Sequence, residues 1–303
     1  MRIDTHIHST YSDGRDTVEE IFRLAKRINL DAIALTDHDT NVGWNEGFEY
    51  AEKYGVGFIA GCEISTVYKG MNQHLLAYLY DEKDPLLQSI LIKSKNARFV
   101  RFQKMCELLR KDYTFSLQDI VESTFGTKSF QALGLENIDY DFLKQTGIPF
   151  GRPHLADVLI KFGYFKNRDE CFSNVLNAES KYYVSYNPPN ILEVIKAVKN
   201  AGGFCVLAHP FSKKRGKELC FKDIKELKNR GLDGIEVNHY EHDLKDREKA
   251  SSICIKLSLL QLGSSDYHGT GKPNRLGENT TDFKSILKME KETFRKVKWG
   301  WNK

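Results

Sequence analysis

Nine histidines punctuate this chain, and several stand beside a carboxylate or a second histidine. His6 and His8 form an H-x-H, and in an extended segment alternate residues point the same way, so both imidazoles can reach one point in space. His38 within Thr36-Asp37-His38-Asp39, then Glu63, His209 before Pro210, and Asp266 with His268 two residues on, add donors from distant parts of the chain. Each lies at or just after a short apolar run. One such residue at one strand end is ordinarily a satisfied loop or cap residue, but repetition at five strand ends points to a shared site. Gathering these groups without cations would cost on the order of several kcal/mol in desolvation and repulsion. Nitrogen and oxygen donors without thiolate suit an open catalytic centre holding Mn²⁺, Fe²⁺ or Zn²⁺ better than a structural zinc site. Spacing leaves two residues undecided. His74 opens its apolar run and must reach the site through a β-excursion turning around Tyr68 to Asn72, while Asp13 lies in Ser12-Asp13-Gly14, which an Asp-Gly turn explains equally well.

Seven apolar runs could position these groups as strands: 2–8, 31–36, 57–64, 74–80, 204–208, 234–238 and 259–263. Helix-period stretches at 17–29, 44–54, 191–200 and 222–230 lie between several of them. The first has Asp16 as its expected N-cap, and the third stops at Gly202-Gly203. Strand and helix in alternation imply a mostly parallel sheet with both faces covered. In a parallel α/β barrel the carboxyl ends of the strands converge on one mouth, where the histidines would meet. From 81 to 186 the rhythm changes to helical patterns alone (86–110, 117–124, 153–162 and 168–176). The expected organisation is therefore a barrel formed by 1–80 and 187–303, with 81–186 inserted as a mainly helical cap that can supply specificity groups.

Composition excludes several classes. The chain has 303 residues, 41% apolar and 28% charged, with few prolines, which rules out disorder, collagen and coiled coil. Forty-five basic against 41 acidic residues is too balanced for a dedicated duplex-DNA binder. No apolar run could span a bilayer, and Asp4, His6 and His8 stand where a signal peptide needs an apolar core, so the expected location is cytoplasmic. The six cysteines are scattered singly; Cys62 adjoins Glu63 but has no paired base, so no thiol chemistry is expected.

The blocks Thr5-His6-Ile7-His8-Ser9 with Ser12-Asp13-Gly14, Thr36-Asp37-His38-Asp39-Thr40, Gly61-Cys62-Glu63-Ile64-Ser65, His74-Leu75-Leu76, Leu207-Ala208-His209-Pro210 and Ser265-Asp266-Tyr267-His268-Gly269 together resemble the PHP (polymerase and histidinol phosphatase) superfamily. Gly151-Arg152-Pro153-His154-Leu155-Ala156 and the run from Gly231 to Val237 are most similar to its TrpH-type branch of small phosphoesterases. The resemblance implies a distorted seven-stranded (β/α) barrel, TIM-like, with a helical insertion. It also implies a three-metal centre, manganese first and iron or zinc as alternatives, held by His6, His8, Asp13, His38, Glu63, His74, His209, Asp266 and His268. It is the resemblance, not spacing, that brings Asp13 and His74 into this set. Ser264 and Tyr267 depart mildly from the family pattern, which more often has Gly and Phe there.

The implied chemistry is hydrolysis of a phosphate ester by a hydroxide bridging the metals, with no protein nucleophile. Arg98 and Arg101, three apart on one helix face, and Arg152 with His154 match the branch's phosphate-reading positions, and guanidinium forks suit phosphate geometry. The expected substrate is a small phosphorylated metabolite: a nucleoside 3′,5′-bisphosphate or the 5′ end of a short RNA. A cyclic-phosphate phosphodiesterase acting on a sugar cyclic phosphate is the alternative enzyme. A metal-poor binding or scaffold module is the contrasting class, against which the complete donor set argues. His239 and His242 match no ligand position and read as surface or outer residues.

Overall fold

A computed structural model of the chain describes residues 1–126, 138–213 and 218–300. Its elements run β1 (Ile3–Ile7), α1 (Val18–Arg27), β2 (Ala32–Leu35), α2 (Trp44–Tyr54), β3 (Gly57–Tyr68), β4 (Met71–Tyr78), α3 (Pro85–Leu109), α4 (Leu117–Phe125), α5 (Tyr140–Gln145), α6 (Arg152–Lys161), α7 (Arg168–Asn174), α8 (Ile191–Asn200), β5 (Phe204–Leu207), α9 (Phe221–Asn229), β6 (Gly234–Asn238), α10 (Leu244–Leu257), β7 (Leu260–Gly263) and α11 (Phe283–Lys291). The seven strands lie in sequence order in one sheet. The His8 amide donates to the Tyr267 carbonyl (2.9 Å), which brings the end of β1 beside the segment after β7 and nearly closes a distorted barrel.

Alternate strand residues serve two layers, as the two-residue period of a strand requires. Ala32, Ala34, Ile59, Leu76, Tyr78, Phe204, Val206 and Leu262 pack with Ile286 and Met289 of α11. Ile33, Leu35, Phe58, Ala60, Leu75, Ala77, Cys205 and Leu207 pack under α1, α2, α8 and α9. The helices from α3 to α7 share a further buried cluster built on Phe102, Met105, Leu109, Phe150, Leu155 and Leu159.

Three features differ from expectation. The sheet is less parallel: β4 runs antiparallel to both β3 and β5, in a hairpin whose register pairs Ser65 with His74 and Glu63 with Leu76. The cap of α1 is Thr17, one residue after Asp16, because Thr17 and Glu20 close a reciprocal capping box. Helices α5, α10 and α11 were not anticipated. In α10 both Leu244 and Ile255 point to solvent, which blurs the apolar stripe that a sequence reading depends on.

Candidate metal centre and active site

Six of the seven strands bring the expected groups to one rim. His6 and His8 leave the end of β1, His38 follows β2, Glu63 lies in β3, His209 follows β5, and Asp266 and His268 follow β7. His74 stands near the start of β4, and because β4 runs against its neighbours, that start lies at the same rim as their ends. The loop after β1 adds Asp13. All nine residues named from the sequence therefore converge, and all are buried except His74, whose side chain is 17% exposed. Asp266 (φ 53°) and His209 (φ 30°) take left-handed backbone turns, a conformation uncommon for non-glycine residues.

Glu63 is the hub. Its Oε1 meets His74 Nδ1 at 2.7 Å and His209 Nε2 at 2.8 Å, and its Oε2 lies 3.3, 3.2 and 3.2 Å from ring nitrogens of His6, His8 and His38. Asp266 Oδ1 lies 3.4 and 3.3 Å from Nε2 of His6 and His8. Asp13 faces His268 (3.3 Å), His8 (3.5 Å) and His38 (3.8 Å).

A second ring of groups aims the first. Glu236 of β6 takes a hydrogen bond from His6 Nδ1 (2.9 Å) and from the His209 amide (2.7 Å), and also pairs with the Ser264 hydroxyl. His268 Nδ1 donates to the Asp266 carbonyl (2.7 Å). The two bonds at Nδ1 of His6 and His268 fix tautomers whose Nε2 lone pairs face inward, as metal-binding imidazoles require. Asp37 holds Ser9 and Ser12 of the β1 loop (2.7 and 2.5 Å between side chains). Glu236 was missed from sequence; an acid in the middle of an otherwise apolar buried strand was the available signal. His239 and His242 are buried, so the surface reading of them is corrected. His239 follows β6 and lies 3.7 Å from Asp266, a rim position like the others.

The donor set fits divalent cations. Nε2 of His6 and of His8 stand 3.0 Å apart, an approach of two lone pairs that needs a proton or a cation between them. Donor atoms of His6, His8, Glu63 and Asp266 all lie within 4.8 Å of one another, as do those of His8, Asp13 and His38, those of His38, Glu63 and His74, and those of His6, Glu236 and His239. Protons hold the rim together when no ion does. Burial opposes the charged form of His8, but its hydrogen bonds to Asp266 and Glu63 raise it to about 9. His6 is likewise raised, against burial, by Glu236, Glu63 and Asp266. Burial would raise Glu63, yet the surrounding imidazoles, His74 first, hold it well below its ordinary range. Burial, then Lys272 and His8, push His268 down to about 4.

Beside the rim lie the guanidinium groups. Arg98 donates from Nη1 to Asp39 (3.0 Å) and Ser65 (2.9 Å), passing Gly151, where a Cβ would stand 3.1 Å from its Nε. Arg101 stacks over Tyr183 and Tyr186 at 4.9 and 5.0 Å, and its buried Nε and Nη2 meet no hydrogen-bond partner among the described residues. Arg152 donates to the Leu176 carbonyl (2.9 Å) and lies over Phe172; burial, then the neighbouring Arg101 and Arg98, push it down to about 10. His154 is placed differently. Its Nδ1 accepts from the Gly151 amide (3.1 Å) and its Nε2 donates to the Ser12 carbonyl (2.8 Å), so both ring nitrogens are engaged with backbone.

Comparison with known proteins agrees with this geometry. The PHP domain family model matches residues 4–135. The phosphoribosyl 1,2-cyclic phosphate 1,2-diphosphodiesterase of Eggerthella lenta is 27% identical over 88% of this chain and 94% of its own. The 3′,5′-nucleoside bisphosphate phosphatase of Chromobacterium violaceum is 26% identical over 94% of each chain. Among solved structures, a Bifidobacterium adolescentis protein described as a candidate metal-dependent phosphoesterase superposes with a TM-score of 0.86 at 32% identity, covering 96% of both chains. No helix among the described residues is long and apolar enough to cross a membrane.

Proposed function

From the premise that this chain belongs to the PHP superfamily and is a metal-dependent phosphoesterase, we propose that it removes phosphate from a small substrate carrying a second, remote phosphate, a nucleoside 3′,5′-bisphosphate or the 5′ end of a short RNA. The observation that carries this reading is Arg101, a buried guanidinium with two nitrogens lacking partners among the described residues, grouped with Arg98 and Arg152 beside the rim. Buried cations without counter-charge are costly, and a dianionic phosphate relieves that cost. The relative from Chromobacterium violaceum, named as a 3′,5′-nucleoside bisphosphate phosphatase, supports the same substrate class.

We assign the metal ligands to His6, His8, Asp13, His38, Glu63, His74, His209, Asp266 and His268, with His239 as a further candidate donor, and expect three ions with manganese preferred. Bound divalent ions would polarise phosphoryl oxygens and lower the pKa of a water. The chain's own groups do the rest. Glu236 and the Asp266 carbonyl fix the imidazole tautomers, Asp37 holds the loop that carries Asp13, and Asp39 fixes Arg98 through Nη1. Arg101 and Arg152 orient the remote phosphate, and in our reading the helices of 81–186 form the cap that presents them. His154 contributes through the Ser12 carbonyl and not by touching substrate.

A second reading, hydrolysis of a sugar cyclic phosphate, is favoured by the likeness to the Eggerthella lenta diphosphodiesterase. The test is phosphate release by the Mn²⁺-loaded enzyme from a nucleoside 3′,5′-bisphosphate, a 5′-phosphorylated short RNA, a ribose cyclic phosphate and a simple aryl phosphate. Preference for either of the first two by tenfold or more supports the proposal, and preference for the cyclic ester overturns it.

A further inference from the structure

The loop carrying Asp13 is gripped from both sides. Toward the barrel, the Gly14 amide donates to the Ser9 carbonyl (3.0 Å) and the Arg15 amide to the His268 carbonyl (3.1 Å). The fit is close enough that a Cβ on Gly14 would stand 2.2 Å from the His8 carbonyl oxygen. Toward the helices, three side chains reach three residues of the same loop. His154 Nε2 donates to the Ser12 carbonyl (2.8 Å), Arg168 Nη2 to the Asp13 carbonyl (3.0 Å), and Asp157 pairs with Arg15 (2.9 Å). Arg168 is itself held by Asp157 through two bonds (2.8 and 2.6 Å). His154, Asp157 and Arg168 are all buried.

Exposed loop carbonyls are satisfied by water at little cost, whereas a buried guanidinium and carboxylate must be desolvated to reach them. That this expense falls on three residues of one short loop, at and around a rim carboxylate, calls for a reason. We infer that His154, Asp157 and Arg168 are positioning residues through which the helical segment sets the affinity of one metal site, the one formed by Asp13 with His8 and His38, separately from that of His6, His8, Glu63 and Asp266. Asp13 depends on an irregular loop for its place, six residues past the end of β1, while Glu63 lies within β3 and Asp266 stands only three residues past the end of β7, so Asp13 gains most from external bracing. This rests on the functional reading above, in which the rim binds ions.

The test is Mn²⁺ titration into the chelator-stripped full chain, following free Mn²⁺ by electron paramagnetic resonance and bound metal by elemental analysis, in the wild type, His154→Ala, His154→Gln and Arg168→Ala. One ion per chain should weaken by about 10- to 100-fold in His154→Ala and Arg168→Ala while the others keep wild-type affinity. His154→Gln, whose amide N–H can reach the same carbonyl, should recover part of the loss. Equal weakening of every ion, or no change, overturns the inference. Should circular dichroism show either alanine variant unfolded, Arg15→Ala, at a partly exposed residue, is judged by the same criteria. A wild-type chain that takes up no Mn²⁺ overturns the functional reading and this inference together, whereas full uptake by the wild type with unaltered variants overturns only the bracing.

Discussion

Chelation of the metals should leave a protein that loses stability as pH rises from about 6.5 toward 9. In the metal-free rim His8 is raised from 6.5 to about 9, against burial, by its hydrogen bonds to Asp266 and Glu63, and His6 is raised as well. A group whose folded pKa exceeds its unfolded value contributes stability that is complete below the unfolded pKa and lost as pH passes the folded one. For His8 the rise corresponds to roughly 3 kcal/mol, most of it gone by about pH 8.5, a sizeable share of the ~5–15 kcal/mol typical of a domain.

Other rim groups act in other windows. Asp13, Glu63 and Asp266 are held low, so their contributions are present above about pH 4 and lost in acid. His38, His154 and His268 are lowered, so they penalise the fold only as pH falls below about 6.5. Asp4, raised by burial to about 6, has given up its contribution before the window opens. Between pH 6.5 and 8.5 the slope therefore includes His6 and His8, joined toward its upper end by the thiols of Cys62, Cys106, Cys171, Cys205 and Cys254, which burial holds above their ordinary range. Urea melts of the chelated protein at several pH values and constant ionic strength measure it. Mn²⁺, which must displace those protons, should bind about tenfold more tightly per pH unit for each proton released over the same interval. A chelated protein at least as stable at pH 8.5 as at 6.5, together with pH-independent Mn²⁺ affinity, would refute the reasoning.

Three further outcomes can be checked. Glu236→Gln, which weakens the hold on His6 and the His209 amide, should lower Mn²⁺ affinity by about 10- to 100-fold in calorimetric titration while the fold persists. Gly14→Ala forces a Cβ against the His8 carbonyl and should cost about 1–3 kcal/mol by urea melting, with weaker metal uptake; a wild-type melt would show that the loop does not pack so closely. Arg152→Ala should raise KM for a two-phosphate substrate by about tenfold or more, the worth of a charged hydrogen bond, and leave a simple aryl phosphate unaffected. Equal loss on both substrates would remove Arg152 from the remote-phosphate role.

The parts of the fold legible in the chain were those governed by local period. Each strand of the barrel could be read as a short apolar run between turns, and the rim histidines stood out because five strand ends repeated one pattern. What escaped depended on partners distant in sequence. His74 opens its apolar run, and spacing left its role undecided because strand direction is set by pairing; the antiparallel placement of β4 brings it to the rim with the other donors. Thr17 replaces Asp16 as the cap of α1 because Glu20 completes a reciprocal pair with it. His154 matches a phosphate-reading position, and nothing in its neighbours announces that both nitrogens meet backbone, one of them at Ser12, 142 residues away.

Asp37 and Asp39 show how the same residue type divides between tasks. They flank His38, and by type and spacing neither differs from a rim ligand. Asp37 turns toward Ser9 and Ser12, so it stiffens the loop that carries Asp13. Asp39 adopts a left-handed backbone (φ 54°) that sends its carboxylate to the Ser65 amide and hydroxyl, the Ser94 hydroxyl and Arg98. One acid thus ties the His38 segment to the Asp13 loop, and the other ties it to the guanidinium that begins the proposed anion-reading group. Since Arg98 is, after burial itself, the strongest influence lowering His38, the electrostatics of the rim and of the proposed remote-phosphate group are joined through this short segment. A substrate phosphate drawing Arg98 from Asp39 would therefore be felt at His38, a coupling that residue spacing alone could not disclose.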